Sequence, residues 1–114
     1  MVPGEDAILT NLRRGVLEYC VLASLRDGAS YGRDIARSLA EDGVLIGGEG
    51  TLYPLLSRLR RSGWVETSWQ ESSAGPPRRY YTVTREGERA LETFQSAWTP
   101  FRTAVDTALG AEEP

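Results

Sequence analysis

Residues 50–65 read Gly50-Thr-Leu-Tyr-Pro-Leu-Leu-Ser-Arg-Leu-Arg-Arg-Ser-Gly-Trp-Val65, and the way this stretch divides into two faces decides the fold. On a helical wheel Leu52, Leu55, Leu56 and Leu59 fall together, as residues turned to a core do. Tyr53, Pro54, Ser57, Arg58 and Arg61 fall on or near the opposite face. Thr51 is placed to cap this helix, and Pro54 is tolerated because first-turn amides have no intrahelical partner. Gly63 stands where a left-handed C-terminal cap is expected. A leucine stripe backed by hydroxyl and guanidinium groups suits a helix seated in the major groove of DNA. Arginine forks onto guanine or clamps a phosphate, and the hydroxyls of serine and tyrosine reach phosphate oxygens. Each residue taken alone has a plainer reading, since Arg60 and Arg61 in a last turn also complement the helix dipole.

Upstream, Ile8, Leu9, Leu12, Val16, Tyr19, Cys20 and Ala23 recur at helical spacing, which predicts one helix over 8–26. Leu17, Val21, Leu22 and Leu25 make its second half apolar nearly all round, the pattern of a buried central helix. Ser30 is a plausible N-cap for a second helix carrying Ile35 and Leu39 and ending at Gly43. Downstream the period changes. Residues 64–70 alternate at period two, and 79–83 are rich in aromatic and β-branched side chains, which predicts two strands. Residues 71–78 are turn chemistry and predict a long tip, with Pro76 and Pro77 holding Arg78 and Arg79 outward. A last helix runs over 85–109. Three helices, a hairpin and a helix make a mainly α fold with a β-hairpin wing, the winged helix-turn-helix layout, followed by a C-terminal dimerisation helix. The expected organisation is one domain over 1–114: a winged-helix region at 8–84, the dimerisation helix at 85–109 and an acidic tail at 110–114.

The chain has 114 residues, 13 basic and 16 acidic, for a net charge of −3. All its basic residues are arginine. With no histidine there is no Ser-His or Cys-His nucleophile pair and no imidazole metal site. Gly48-Glu-Gly50 leads to Tyr53, where a phosphate-cradling loop would need glycine, and no Gly-x-Ser-x-Gly elbow occurs. No enzyme activity, metal or cofactor is therefore expected. Cys20 is the one cysteine; it sits in the most apolar part of the first helix, where core packing accounts for it better than redox sensing. The acidic start, Met1-Val-Pro-Gly-Glu-Asp6, is not a signal peptide, and Val16–Leu25 is too short to span a bilayer. The expected location is the cytoplasm, with no membrane partner. Overall acidity weighs against nucleic acid until it is divided by region. Residues 50–90 hold seven arginines and four glutamates, a net of +3, and the remainder carries −6. The expected reading head is basic within an acidic chain.

Gly50–Leu59 with Ser62-Gly63-Trp64-Val65, and Pro76-Pro77-Arg78-Arg79-Tyr80-Tyr81 with Thr84 and Gly87, resemble the third helix and the wing of PadR-like transcriptional regulators. Tyr31-Gly32 and Ile35 resemble that family's second helix, and the similarity spans about residues 8–109. The short C-terminal segment is similar to the small subgroup with a single dimerisation helix. The resemblance implies a homodimer that represses transcription by binding double-stranded DNA at an inverted repeat. Tyr31, Thr51, Tyr53, Ser57, Arg58, Arg61, Arg78 and Arg79 would then touch DNA.

In the last helix Leu91, Phe94, Trp98, Phe101 and Val105 are spaced three and four apart, a heptad seam. With Leu12 and Val16 of the first helix these are the expected dimer and effector residues. Dimer packing alone explains the seam. A sharper reading has Trp98 and its symmetry mate stacking on a planar hydrophobic effector, as the resemblance to small tryptophan-containing members implies. The rival readings are a winged helix used for protein contact and a regulator with no small-molecule effector.

Overall fold

The chain folds, in a computed structural model that describes residues 1–110, as a mostly helical molecule with a small antiparallel sheet. The helices are α1 (Glu5–Arg14), α2 (Leu17–Ser24), α3 (Gly32–Leu39), α4 (Leu52–Arg61) and α5 (Arg85–Ala108). The strands β1 (Ser30–Tyr31), β2 (Val65–Ser72) and β3 (Gly75–Val83) form a sheet in the order β1-β3-β2. Residues 111–114 of the expected acidic tail lie outside the described residues.

The core gathers from every layer. Val21, Leu22 and Leu25 of α2 and its end meet Ile35 and Leu39 of α3, the four leucines of α4, Val65 and Tyr81 of the sheet, and Leu91 of α5. Leu52, Leu55, Leu56 and Leu59 are all buried, as the wheel predicts. Burying a leucine contributes roughly 1.5–3 kcal/mol each, so this stripe fixes the rotation of α4 and with it the identity of the outward face.

Several local expectations change. The single helix over 8–26 is two helices, broken at Gly15-Val16. Gly15 closes α1 by donating to the Leu12 carbonyl, and Val16 takes a non-helical φ of −124°. Glycine costs about 1 kcal/mol in a helix interior, so a break is cheapest there. Ser30 caps nothing; it pairs with Tyr81 in β1, and α3 starts with Tyr31 at its N-cap. Thr51 sits in a short 3₁₀ turn, Glu49–Thr51, where its hydroxyl donates to the Gly48 carbonyl instead of accepting from α4. The wing is longer and its tip tighter than predicted. Glu71 faces both Pro76 and Pro77, a bulge that lets two residues without amide donors sit inside β3. Arg78 therefore belongs to the strand, as Arg79 does, and not to the tip.

The end of α4 is tied to the start of α5. Gly63, at φ +79°, lets its amide reach the Arg60 carbonyl while the Trp64 amide reaches that of Leu59, the paired bonds that close a helix on a left-handed residue. Thr84 caps α5 by accepting from the Gly87 amide at 3.1 Å, and its hydroxyl donates to the Gly63 carbonyl at 2.6 Å. Its own amide donates to the Trp64 carbonyl. Gly87 must be glycine here, since a Cβ would lie 2.2 Å from the Trp64 carbonyl oxygen. From this junction α5 continues past Pro100 to Ala108. The radius of gyration, 16.2 Å, exceeds the ~13 Å of a globule of this length, because the far half of α5 projects from the body.

Gly87→Ala is expected to cost about 2 kcal/mol or more by forcing Trp64 off the α5 start. Thermal melting checks this against Gly50→Ala, which meets nothing within 4 Å and should melt close to the parent protein.

Candidate nucleic-acid interface

With its leucines buried, α4 turns Tyr53, Pro54, Ser57, Arg58, Arg60 and Arg61 to solvent, and Thr51 is exposed in the turn before it. The Tyr53 ring rests on Gly32 at the start of α3; a Cβ at Gly32 would stand 2.6 Å from the ring edge. The Tyr53 hydroxyl donates to Glu49 at 3.3 Å, and Glu49 also lies 4.0 Å from the Arg33 guanidinium. Burial, and then the adjacent Glu49 carboxylate, push the Tyr53 phenol above its ordinary value. The one phenol proton is directed at Glu49 in the free protein, so donating to a phosphate means giving up that bond.

The wing side is arranged by rings. Tyr31 pairs with Tyr80 across β1 and β3, their rings 5.3 Å apart, and the Arg78 guanidinium lies 4.4 Å over the Tyr31 ring. Arg79 lies 4.9 Å over Trp69, its partner in the β2–β3 register. The two arginines thus leave opposite faces of β3, as adjacent strand residues must. Stacking over a ring contributes about 0.5–1 kcal/mol at an exposed site and leaves the edge N–H donors free to face outward. Aromatic rings, not the prolines, aim this pair. Tyr31, Gly32, Tyr53, Arg78 and Arg79 border one cleft of about 230 Å³ beside α4.

Arg58 is not in that group. It makes an ion pair with Glu18 of α2, and with Arg61 it faces the other flank of α4. Ser57 is exposed on the ridge between the flanks. Six of the seven residues expected at the dimer and effector seam come together: Leu12, Val16, Phe94, Trp98, Phe101 and Val105 line a cleft of about 600 Å³ between α1 and α5. Leu91 does not join them. It is buried in the protomer's own core, because the first turns of α5 pack on the body and the heptad spacing carries straight on from core to seam. Burial pushes the Cys20 thiol up, away from thiolate chemistry. Among the described residues no cluster of acidic or sulfur side chains is arranged to hold a metal ion, and no helix is long and apolar enough to cross a membrane.

The sequence reading missed Arg33, Glu49 and Trp69. Glu49 lies one helical turn before Tyr53, and Arg33 two residues after Tyr31; both spacings were readable. Trp69 alternates outward on β2 and is 65% exposed, and its role depends on a cross-strand register that sequence alone does not supply.

A leucine-anchored helix with a polar outer face, flanked by an arginine-bearing hairpin, defines a winged-helix protein. The family model for the transcriptional regulator PadR-like family matches residues 21–93, more than half of the chain, and the chain belongs to that family. A PadR family transcriptional regulator from Eggerthella lenta is 34% identical, with 94% of this chain and 93% of that one covered and a TM-score of 0.79. A PadR-like transcriptional regulator from Bacillus cereus is 34% identical over 90% of this chain and 99% of its own, with a TM-score of 0.78. A PadR-like transcription factor from Bacteroides fragilis is 36% identical over 90% and 98%, at 0.72. The protein is accordingly a DNA-binding transcriptional regulator.

Gly32→Ala should displace Tyr53 from its seat without unfolding α3, since alanine favours a helix and the ring has solvent to move into. Affinity for duplex DNA is expected to fall roughly tenfold at an unchanged circular dichroism spectrum. Parent-like affinity would contradict the placement of Tyr53 in the interface.

Proposed function

We propose that this protein is a homodimeric, cytoplasmic, non-enzymatic repressor that binds a pseudo-palindromic operator and is released by a planar hydrophobic effector. The observation that carries the reading is the uncovered seam. Leu12 is 63% exposed, Trp98 38%, Phe101 63% and Val105 39%, side by side on α1 and α5. A tryptophan and a phenylalanine left in water on one helix face make a contiguous apolar patch that a second copy covers by pairing α5 with α5. Two α4 helices related by that dyad would enter successive major grooves, and Tyr31, Thr51, Tyr53, Ser57, Arg58, Arg61, Arg78 and Arg79 would meet the DNA.

The effector part rests on an aromatic ladder. Trp98 lies 5.8 Å from Phe94 with nearly parallel rings, Phe94 stacks on Tyr19 at 4.3 Å, and Tyr19 meets Trp64 at 5.9 Å. The ladder begins in the cleft and ends at the residue whose amide closes α4. A flat molecule stacked on Trp98 would favour the dimer arrangement with the most ring contact, and operator affinity falls if that arrangement spaces the heads differently.

A variant with Trp98 as its only tryptophan (Trp64→Phe, Trp69→Phe) tests this. Acridine should quench its fluorescence saturably and, at the same concentrations, release the parent protein from the intergenic DNA beside its own gene in a gel shift. Acridine without effect on both readouts would remove the effector and leave dimer packing as the whole role of the seam.

A further inference from the structure

We infer that α4 is flanked by a second phosphate-gripping surface, made by Arg13 and Arg14 at the end of α1 together with Arg61, on the side away from the wing. This rests on the reading of α4 as the groove-entering helix. A cleft of about 450 Å³ separates α1 from α4, and Arg13, Arg14, Arg58 and Arg61 all border it. Glu18, the one carboxylate at its edge, is engaged by Arg58. Among the described residues no carboxylate lies within ion-pair distance of Arg13, Arg14 or Arg61.

Arg13 is also held in place. Its Nε donates to the Val44 carbonyl at 2.8 Å, across the chain from α1 to the loop before α4. That bond uses one of five donors and leaves the terminal nitrogens free. The plain account of these arginines, a last turn complementing the α1 dipole, does not require them to converge on a helix from elsewhere in the chain. A helix in the major groove gains from it. The groove is about 12 Å wide and is walled by a phosphate strand on each side. Arg33, Arg78 and Arg79 border the cleft on the wing side; on the opposite side Arg13 and Arg14 of α1 join Arg61 and Arg58. Arg13 and Arg14 lie in the part of the chain whose charges sum to −6, so bookkeeping by sequence region conceals them.

The test uses the full-length protein and a random-sequence duplex of roughly 30 bp, because phosphate contacts are independent of sequence. Fluorescence anisotropy is read between about 50 and 200 mM NaCl. Arg14→Ala is expected to weaken binding several-fold and to flatten the log–log salt dependence by about 0.9 for each phosphate released, and Arg78→Ala is expected to do the same on the wing side. Arg14→Lys, which keeps the charge, should restore most of the slope. If Arg78→Ala flattens the slope and Arg14→Ala does not, the second surface is overturned and the wing-side reading stands. Weaker binding at an unchanged slope would also overturn it, marking Arg14 as a packing residue. A parent protein that binds no duplex would remove both readings together.

Discussion

Where α4 stands relative to α5 depends on how Thr84 is held. One side chain caps α5 and reaches back to the Gly63 carbonyl, while its amide takes the Trp64 carbonyl. Each bond is modest, about 1 kcal/mol net. Together they join the left-handed end of α4 to the first turn of α5, with Gly87 admitting the Trp64 carbonyl where any side chain would collide. The helix with the polar outer face and the helix that carries the apolar seam thus share one hydrogen-bonded corner. A dimer formed along α5 would have little freedom in where it points its two α4 helices.

The charges follow a related economy. Arg58 leans on the half-buried Glu18 and Arg33 on the exposed Glu49, while Arg78 and Arg79 lie over rings. An exposed ion pair such as Arg33–Glu49 contributes only about 0–1 kcal/mol, so a phosphate can replace that carboxylate at little cost. In the free protein these arginines are held in defined places without being locked away. An acidic chain can present arginine-lined clefts where the nearby carboxylates, Glu18 and Glu49, are paired with arginines that a phosphate would later claim.

Much of this was legible in the sequence. The four leucines of α4, the left-handed Gly63, the two-stranded wing and the seam on α5 all follow from spacing, because each is a local pattern repeated over a turn or more. What escaped was short or non-local. A two-residue strand has no period, so Ser30 resembles a helix cap. Gly15 is one residue in a strongly helical pattern, and nothing local says that the chain turns there. Pro76-Pro77 reads as a loop because the bulge that accommodates it exists only in the pairing with Glu71. Leu91 fits the heptad as well as Phe94 does, and only packing separates a core leucine from a seam residue. The partners of Arg58, Arg78 and Arg79 come from other elements, so local spacing does not say what they touch.

The central claim, that two α4 helices are carried one DNA turn apart by a dimer built on α5, is open to direct distance measurement. Spin labels placed at Ser57→Cys in a Cys20→Ala background report it by double electron–electron resonance in the free protein. The account predicts one narrow distribution centred near 34 Å, the separation of successive major grooves, allowing for label length. No dipolar signal at micromolar protein, or a narrow distribution far from one helical turn that persists when DNA is added, would contradict it.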